Sequence, residues 1–343
     1  MFRIGERKIG VGEVPLVIAE VGINHGGALD VAIEMADAAA ACGVEVVKHQ
    51  THIVDDEMSY HAKNIRPGNS EQAIYDIMAD CALSEAEEMA LMQHVASLGM
   101  KFMSTPFSRA AFYRLERMGV VAYKVGSGEC NNYPLLRLIA ATGKPTIVST
   151  GMNGMAAVRQ VVDIFQEKKS PLALLHTTNL YPTSDEQVRL GAMDELMHNF
   201  PDLSVGLSDH TVDNLSCIAA MARGATIVER HFTDTKDRIG PDIVCSMDVT
   251  QCKELVSAAQ RIPQLLGGNK EALEAEAVTT RFAFASVVAE RIIRKGELLN
   301  SDNIWVRRPG TGEFLAADYE SLLGRVVAVD IEKGEQVKTS DLV

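Results

Sequence analysis

Five apolar runs in this chain end in polar or charged residues. They are Val17-Ile-Ala-Glu20-Val-Gly-Ile-Asn24-His25, Val46-Val-Lys48-His-Gln50-Thr, Tyr123-Lys124-Val-Gly-Ser127-Gly-Glu129, Val205-Gly-Leu-Ser208-Asp-His210 and Ile227-Val-Glu-Arg-His231. Near-continuous apolar runs fit parallel strands buried on both faces. A (β/α)8 barrel needs this combination, because its strand interiors fill the core and its strand carboxyl ends carry the chemistry.

The rhythm of the chain agrees. Strand-like runs begin near Leu16, Val44, Lys101, Ala122, Pro145, Leu172, Leu203 and Ala225, and a helical pattern follows each. Eight such units favour a closed barrel over a doubly wound sheet. Ala32 to Ala41 is alanine-rich, and Ser84-Glu-Ala-Glu87 reads as a capping box. Gly43, Gly99, Gly119, Gly143 and Gly224 sit where helices end.

The 343 residues exceed a barrel of roughly 250. We divide them into a barrel over 1–265, a linker over 266–283 and a small β-rich domain over 284–343. The last contains strand-like Ala285-Ser-Val-Val-Ala and Arg325-Val-Val-Ala-Val, and two Lys-Gly-Glu turns at 295–297 and 333–335 that suggest a pseudo-repeat. Residues 52–82 and 233–249 interrupt the barrel rhythm and are expected on its catalytic face as long loops.

A net charge of −13 argues against nucleic acid or an anionic membrane as partner. It also means that an anionic substrate needs a local basic pocket. No apolar run reaches the ~18 residues of a membrane span, and the N-terminus lacks a signal peptide's apolar stretch, so a cytoplasmic protein is expected. The six cysteines (Cys42, Cys81, Cys130, Cys217, Cys245, Cys252) form no CxxC pair and read as free thiols.

Residues two apart on a strand share a face. Lys48 and Gln50 therefore point the same way, as do Ser208 and His210, and Glu229 and His231. Lys48 and Lys124 lie in apolar strands, where a lysine is costly unless paired. Either each meets a structural carboxylate, or both converge with Thr105, Ser127, Ser149 and Ser208 on a phosphate or phosphate-carboxylate group. His210 and His231 end neighbouring strands. They could share one divalent ion in an open Lewis-acid site, or be hydrogen-bonded or phosphate-binding histidines. Glu20 and Glu129 are candidate acid/base or positioning groups. Asn179, Tyr181 and Asp242 are candidate substrate contacts or ordinary loop hydrogen-bonders. Val125-Gly-Ser-Gly128 is too short for a dinucleotide fingerprint, and there is no Walker A motif.

Taken together these motifs resemble the bacterial sialic acid synthases. The matching stretches are Ala19-Glu-Val-Gly-Ile-Asn-His25, Val47-Lys-His-Gln-Thr-His-Ile-Val54, Ser104-Thr-Pro-Phe-Ser108, Tyr123-Lys-Val-Gly-Ser-Gly-Glu-Cys-Asn-Asn-Tyr-Pro134, Ser149-Thr-Gly-Met152, Gly206-Leu-Ser-Asp-His-Thr211, Glu229-Arg-His-Phe-Thr233 and Gly240-Pro-Asp242. The tail from about 285 resembles the antifreeze-like (SAF) domain of those enzymes. The resemblance implies condensation of phosphoenolpyruvate with open-chain N-acetylmannosamine and water, giving N-acetylneuraminate and phosphate. It implies phosphoenolpyruvate contacts at Lys48, Thr105, Lys124, Ser127, Asn179 and Ser208. It places sugar contacts at Glu20, Gln50, Tyr181 and Asp242, and a divalent ion on His210 and His231, Mn2+ first with Mg2+ or Co2+ as substitutes. Glu129 falls where the family has a carboxylate beside the reacting carbons. Arg308 matches a tail arginine that reaches the sugar in the partner subunit, which implies a domain-swapped homodimer.

Synthases of legionaminic, pseudaminic and 9-phosphorylated sialic acid share these barrel motifs. Two other classes compete: a Schiff-base aldolase with Lys124 as nucleophile, and a carbohydrate- or ice-binding protein suggested by the tail.

Overall fold

The computed structural model describes residues 2–67 and 71–343. Residues 68–70, inside the expected loop 52–82, lie outside the described residues. Eight parallel strands close into a barrel. They are β3 (Leu16–Gly22), β4 (Val46–Thr51), β5 (Lys101–Pro106), β6 (Tyr123–Val125), β7 (Thr146–Ser149), β8 (Leu172–Thr177), β9 (Ser204–Asp209) and β10 (Ile227–His231). A short antiparallel hairpin, β1 (Phe2–Ile4) and β2 (Arg7–Ile9), precedes them. The strand starts read from the sequence lie within two residues of these bounds.

Two apolar layers hold the barrel. Its inner core is Leu16, Ile18, Val46, Met103, Ala122, Ile147, Ala173, Leu175 and Ile227, joined by Phe2, Ile4 and Ile9 of the hairpin. The hairpin therefore plugs the amino-terminal end of the barrel. Each buried Leu, Ile, Val, Met or Phe among them contributes about 1.5–3 kcal/mol relative to exposure. The outward residues of the strands pack on the surrounding helices in a second, larger cluster.

The helices start and stop for local reasons. Ser84 accepts from Glu87 N at 3.3 Å while Glu87 accepts from Ser84 N at 2.8 Å, the reciprocal cap expected for helix Glu85–Ser97. Such a cap contributes ~1 kcal/mol. Helix Arg109–Met118 ends at Gly119, whose φ of 78° is the left-handed conformation that favours glycine.

Closure sets the register of the polar strand ends. Glu20 pairs with both Lys48 and His231, Gln50 with Thr105, and Ser208 with Glu229. Residues from sequence positions 20 to 231 thus meet in one ring at the carboxyl ends.

The two segments expected as loops contain local structure. Residues 52–82 hold helices Val54–Glu57 and Ile74–Cys81 and a 3-10 turn at Tyr60–Asn64. Residues 233–249 contain the 3-10 turn Ile243–Cys245.

The chain divides into two compact units, Met1–Gly267 and Gly268–Val343. The stretch read as a linker carries helix Ala277–Ala283 at the start of the second unit. That unit packs Val287, Ala289, Ile293, Leu299, Ile304, Leu322, Val327, Ile331 and Val337 into its own core. β11 (Ser286–Ala289) pairs antiparallel with β12 (Ile304–Arg307). Arg325-Val-Val-Ala-Val is not a strand. Val326 bridges Leu298 and Val327 bridges Leu342, so the chain leaves each partner after one pair and no ladder forms. The pseudo-repeat has a structural counterpart. Gly296 and Gly334 both turn at positive φ, 87° and 85°, and Ile293 and Ile331, each two residues before its Lys-Gly-Glu, pair with each other.

Candidate active site

The barrel mouth holds a cleft whose walls include Lys48, Gln50, Thr105, Lys124, Ser127, Ser149, Asn179, Tyr181, Ser208, His210 and His231. Phe107, Thr177 and Glu229 complete much of the lining. Glu20 is buried behind this lining and reaches it through Lys48 and Gln50. Glu129 and Asp242 stand beside this lining, and Arg308 belongs to the second unit, where it is exposed.

The sequence left open whether the lysines meet carboxylates or an anion. The structure gives both lysines one shared carboxylate, and places it inside the cleft. Lys48 Nζ lies 3.0 Å from Glu229 Oε1 and 3.1 Å from Glu20 Oε2. Lys124 Nζ lies 3.6 Å from the same Glu229 oxygen and donates to Ser149 Oγ at 2.7 Å and Val125 O at 3.0 Å. Ser208 Oγ donates to Glu229 Oε1 at 3.1 Å. Glu229 faces the cleft for the same reason as His231, being two residues before it on β10, but register alone brings it between the lysines.

Burial and charge set the states of this cluster. Burial alone would push the Glu229 carboxyl up, but Lys124 and Lys48 outweigh it and hold it down at about 2. Burial pushes Glu20 up to about 7, opposed by Lys48 and assisted by Glu229. Burial pulls Lys48 down, yet Glu20 and Glu229 more than reverse it and its pKa is raised. Lys124 sits farther from its carboxylate, so burial wins and lowers it to about 8.

Around the lysines the cleft offers unmet hydrogen bonds. Thr105 Oγ1, Asn179 Oδ1 and Glu229 Oε2 are buried without a partner, an arrangement that is costly unless a ligand or water completes it. Gly151 closes one wall. A Cβ there would lie 1.8 Å from Asn179 Oδ1 and 2.7 Å from Ser127 Oγ. The wall therefore requires glycine for close backbone approach, and Gly151 N donates to Ser127 Oγ at 3.1 Å.

The two strand-end histidines stand with ring centroids 5.4 Å apart, and Tyr181 packs against His210 at 4.2 Å. Burial, with His231 beside it, lowers His210 to about 4; burial and Lys48 lower His231 to about 3. Both rings are therefore neutral at pH 7 and keep a lone pair. His210 Nδ1 faces Thr178 O at 2.8 Å, so that nitrogen donates and Nε2 is the free ligand atom. His231 Nδ1 is buried without a hydrogen bond, 3.8 Å from Asp242 Oδ2. Burial raises the Asp242 carboxyl. Among the described residues, no group of three or more His, Cys, Asp or Glu is arranged to hold a metal. A pair of neutral imidazoles with one orphaned nitrogen fits an open site, in which water or substrate supplies the remaining ligands.

Glu129 occupies the rim after β6. Asn132 Nδ2 donates to its Oε2 at 2.6 Å, and burial first, then nearby Glu57, raises its pKa against that bond. His25 and His176 have structural partners. His25 Nδ1 accepts from Gly27 N at 3.1 Å, and His176 Nε2 faces Val188 O at 2.7 Å.

A cationic, hydroxyl-lined cleft at the carboxyl ends of eight parallel strands is the working face of a barrel enzyme. Residues 35–271 match the NeuB family and residues 284–343 the SAF domain; the chain belongs to the NeuB family of sialic acid synthases. It is 34% identical over 330 residues to the N,N'-diacetyllegionaminic acid synthase of Legionella pneumophila, covering 93% of this chain and 92% of that one. It is 30% identical over 326 residues to the N-acetylneuraminate-9-phosphate synthase of Homo sapiens, covering 94% of this chain and 90% of that one. The crystal structure of N-acetylneuraminic acid synthetase from Leptospira borgpetersenii aligns with a TM-score of 0.73 at 29% identity, over 81% of this chain and 94% of that one.

Proposed function

We propose that this enzyme is an N-acetylneuraminate synthase. It condenses phosphoenolpyruvate with the open-chain aldehyde of N-acetylmannosamine. The observation that carries this reading is the buried pair Lys48 and Lys124 among Thr105, Ser127, Ser149, Asn179 and Ser208, with Thr105 Oγ1 and Asn179 Oδ1 left without a partner. Phosphoenolpyruvate brings a phosphate and a carboxylate, which matches two cations and a ring of donors in an acidic protein.

In this reading carbon 3 of phosphoenolpyruvate bonds to the aldehyde carbon. Water adds at carbon 2, the carbon–oxygen bond to phosphate breaks, and phosphate leaves. Lys48 and Lys124 neutralise the enolpyruvate, and Glu20, Gln50, Tyr181 and Asp242 orient the sugar. His210 and His231 are the residues that would hold a divalent ion, Mn2+ foremost, which when bound supplies Lewis-acid polarisation of an aldehyde. Glu129 positions or deprotonates the attacking water. Its carboxyl is fixed by Asn132 at the rim, within the same loop as Ser127. Glu129→Gln is expected to lower kcat at least 10²-fold with both KM values little changed. Unchanged turnover would remove the residue from the chemistry.

Arg308 is read as a sugar contact across a domain-swapped homodimer. Arg308→Ala is expected to raise KM for the sugar and leave that for phosphoenolpyruvate alone; an equal rise in both would refute the assignment. Among the described residues no helix is long and apolar enough to cross a membrane.

A second reading keeps the reaction and changes the sugar to a diacetamido hexose. It is favoured by the 34% identity to the legionaminic acid synthase. Phosphate release from phosphoenolpyruvate with Mn2+ and, in turn, N-acetylmannosamine, its 6-phosphate and the diacetamido analogues separates them. Release with N-acetylmannosamine, abolished by chelator, supports the first reading; preference for another sugar replaces it.

A further inference from the structure

The stretch Val47-Lys-His-Gln-Thr-His52 carries a histidine that none of the roles above uses. His52 follows β4 and is 3% exposed. Its Nε2 lies 3.1 Å from Gln50 Oε1 and its Nδ1 2.8 Å from Glu57 Oε2. Its ring lies flat on Phe107, with centroids 4.6 Å apart and 12° between planes. At the other end of the Gln50 amide, Nε2 donates to Glu20 Oε1 at 2.7 Å. Gln50 and Phe107 both face the cleft.

An amide can turn end for end at little steric cost, so its neighbours decide what it offers. Above about pH 7 Glu20 is ionised and only accepts, which draws the Gln50 NH2 and turns the carbonyl to His52. A carbonyl only accepts, so His52 Nε2 must carry a hydrogen. On the far side Nδ1 meets the Glu57 carboxylate, another acceptor. Both ring nitrogens thus face acceptors, and a ring carrying its hydrogen on Nε2 offers no acceptor there for a reversed Gln50.

We propose that His52, braced by Glu57 and Phe107, is a positioning residue that locks the Gln50 amide with its NH2 toward Glu20 and the sugar subsite. One N–H is spent on Glu20; the second is left for the ligand. Gln50 therefore selects a sugar presenting a hydrogen-bond acceptor at that point, an acyl carbonyl or a hydroxyl oxygen, over one that presents only a donor. Glu57 lies on helix Val54–Glu57 at the start of the segment 52–82. The hydrogen-bond chain Glu57–His52–Gln50–Glu20 thus ties that segment to the pocket floor. The proposal rests on the reading of Gln50 as a sugar contact.

Its test compares His52→Phe, which keeps a flat ring on Phe107 and loses the donor, with His52→Gln, which keeps an N–H near the Nε2 position. Assays use phosphoenolpyruvate, Mn2+ and whichever sugar the wild type turns over. His52→Phe is expected to raise KM for the sugar about tenfold, the weight of one buried hydrogen bond. KM for phosphoenolpyruvate should stay within about twofold, and His52→Gln should recover most of the loss. Equal rises in both KM values, or no recovery in His52→Gln, overturn the proposal. A second arm needs no turnover: the 15N spectrum of the histidine rings in the unliganded full chain, with the signal missing in His52→Phe assigning His52. A protonated Nε2 supports the lock, and a bare Nε2 overturns it. If the wild type turns over no sugar, the proposed function fails while this arm still decides the lock.

Discussion

Lys124→Met is expected to lower kcat/KM for phosphoenolpyruvate about a thousandfold while the protein remains folded. Truncating one partner of a buried, hydrogen-bonded charge pair costs on the order of 2–5 kcal/mol, and each 1.4 kcal/mol is tenfold. The fold should tolerate the change because Glu229 keeps Lys48 at 3.0 Å and Ser208 at 3.1 Å. KM for the sugar should move little, since Lys124 is hydrogen-bonded to Ser149 and Val125 and to none of the proposed sugar contacts. A loss below tenfold would place the enolpyruvate elsewhere.

The same lysine should give the wild type a pH signature. Burial lowers Lys124 to about 8, so the cation is complete below that pH and is lost as pH rises through it. kcat/KM for phosphoenolpyruvate should therefore fall above about pH 8, and Lys124→Met should lose that limb. The same lowered pKa would suit an imine-forming lysine, and the aldolase reading predicts the opposite sign, activity rising as the amine is freed. Borohydride with pyruvate would then leave a covalent adduct on Lys124. An adduct would sink the synthase reading; its absence, with activity falling above pH 8, excludes the aldolase.

The fold was legible because its signals are local. Apolar runs that begin within two residues of the observed strands, glycine stops such as Gly119, and the Ser84 capping box each need only a few consecutive residues. The inward direction of Lys48, Ser208 and His231 was legible too, since alternation along a strand is local. What each inward residue touches depends on the register of a closed sheet, which joins positions as distant as 20 and 231. Hence Glu229 stood out only as a neighbour of His231, although it is the shared anion of both lysines. The His52 contact to Glu57 depends on a helix inside a segment that read as a loop. Three-residue strands carry too little pattern to announce the hairpin Phe2–Ile9, whose side chains count only once the barrel above them exists.

Arg230 alternates outward between Glu229 and His231, and it should carry the largest single stability effect in the barrel. Its side chain is fully buried. The guanidinium donates to Asn214 Oδ1 at 2.8 Å, Thr211 O at 2.7 Å and Cys245 O at 3.2 Å, and lies 3.3 Å from Asp209 Oδ2. Thr211 follows His210, and Cys245 ends the turn that starts after Asp242, so one cation pins two loops that carry cleft residues. Arg230→Leu removes four contacts and takes the cation from Asp209, which is 3% exposed and keeps the Thr211 hydroxyl, donating at 2.7 Å. Breaking a buried pair in this way costs about 3–5 kcal/mol. The urea midpoint should fall with the slope unchanged, as expected when stability changes but the surface exposed on unfolding does not. Adding Asp209→Leu should recover only part of the loss. It removes the stranded charge, but the carbonyls of Thr211 and Cys245 still lack their donor. Full recovery would mean that the ion pair alone held the loops. A loss below about 1 kcal/mol in the single variant would mean that water replaces the guanidinium, and that Arg230 does not anchor them.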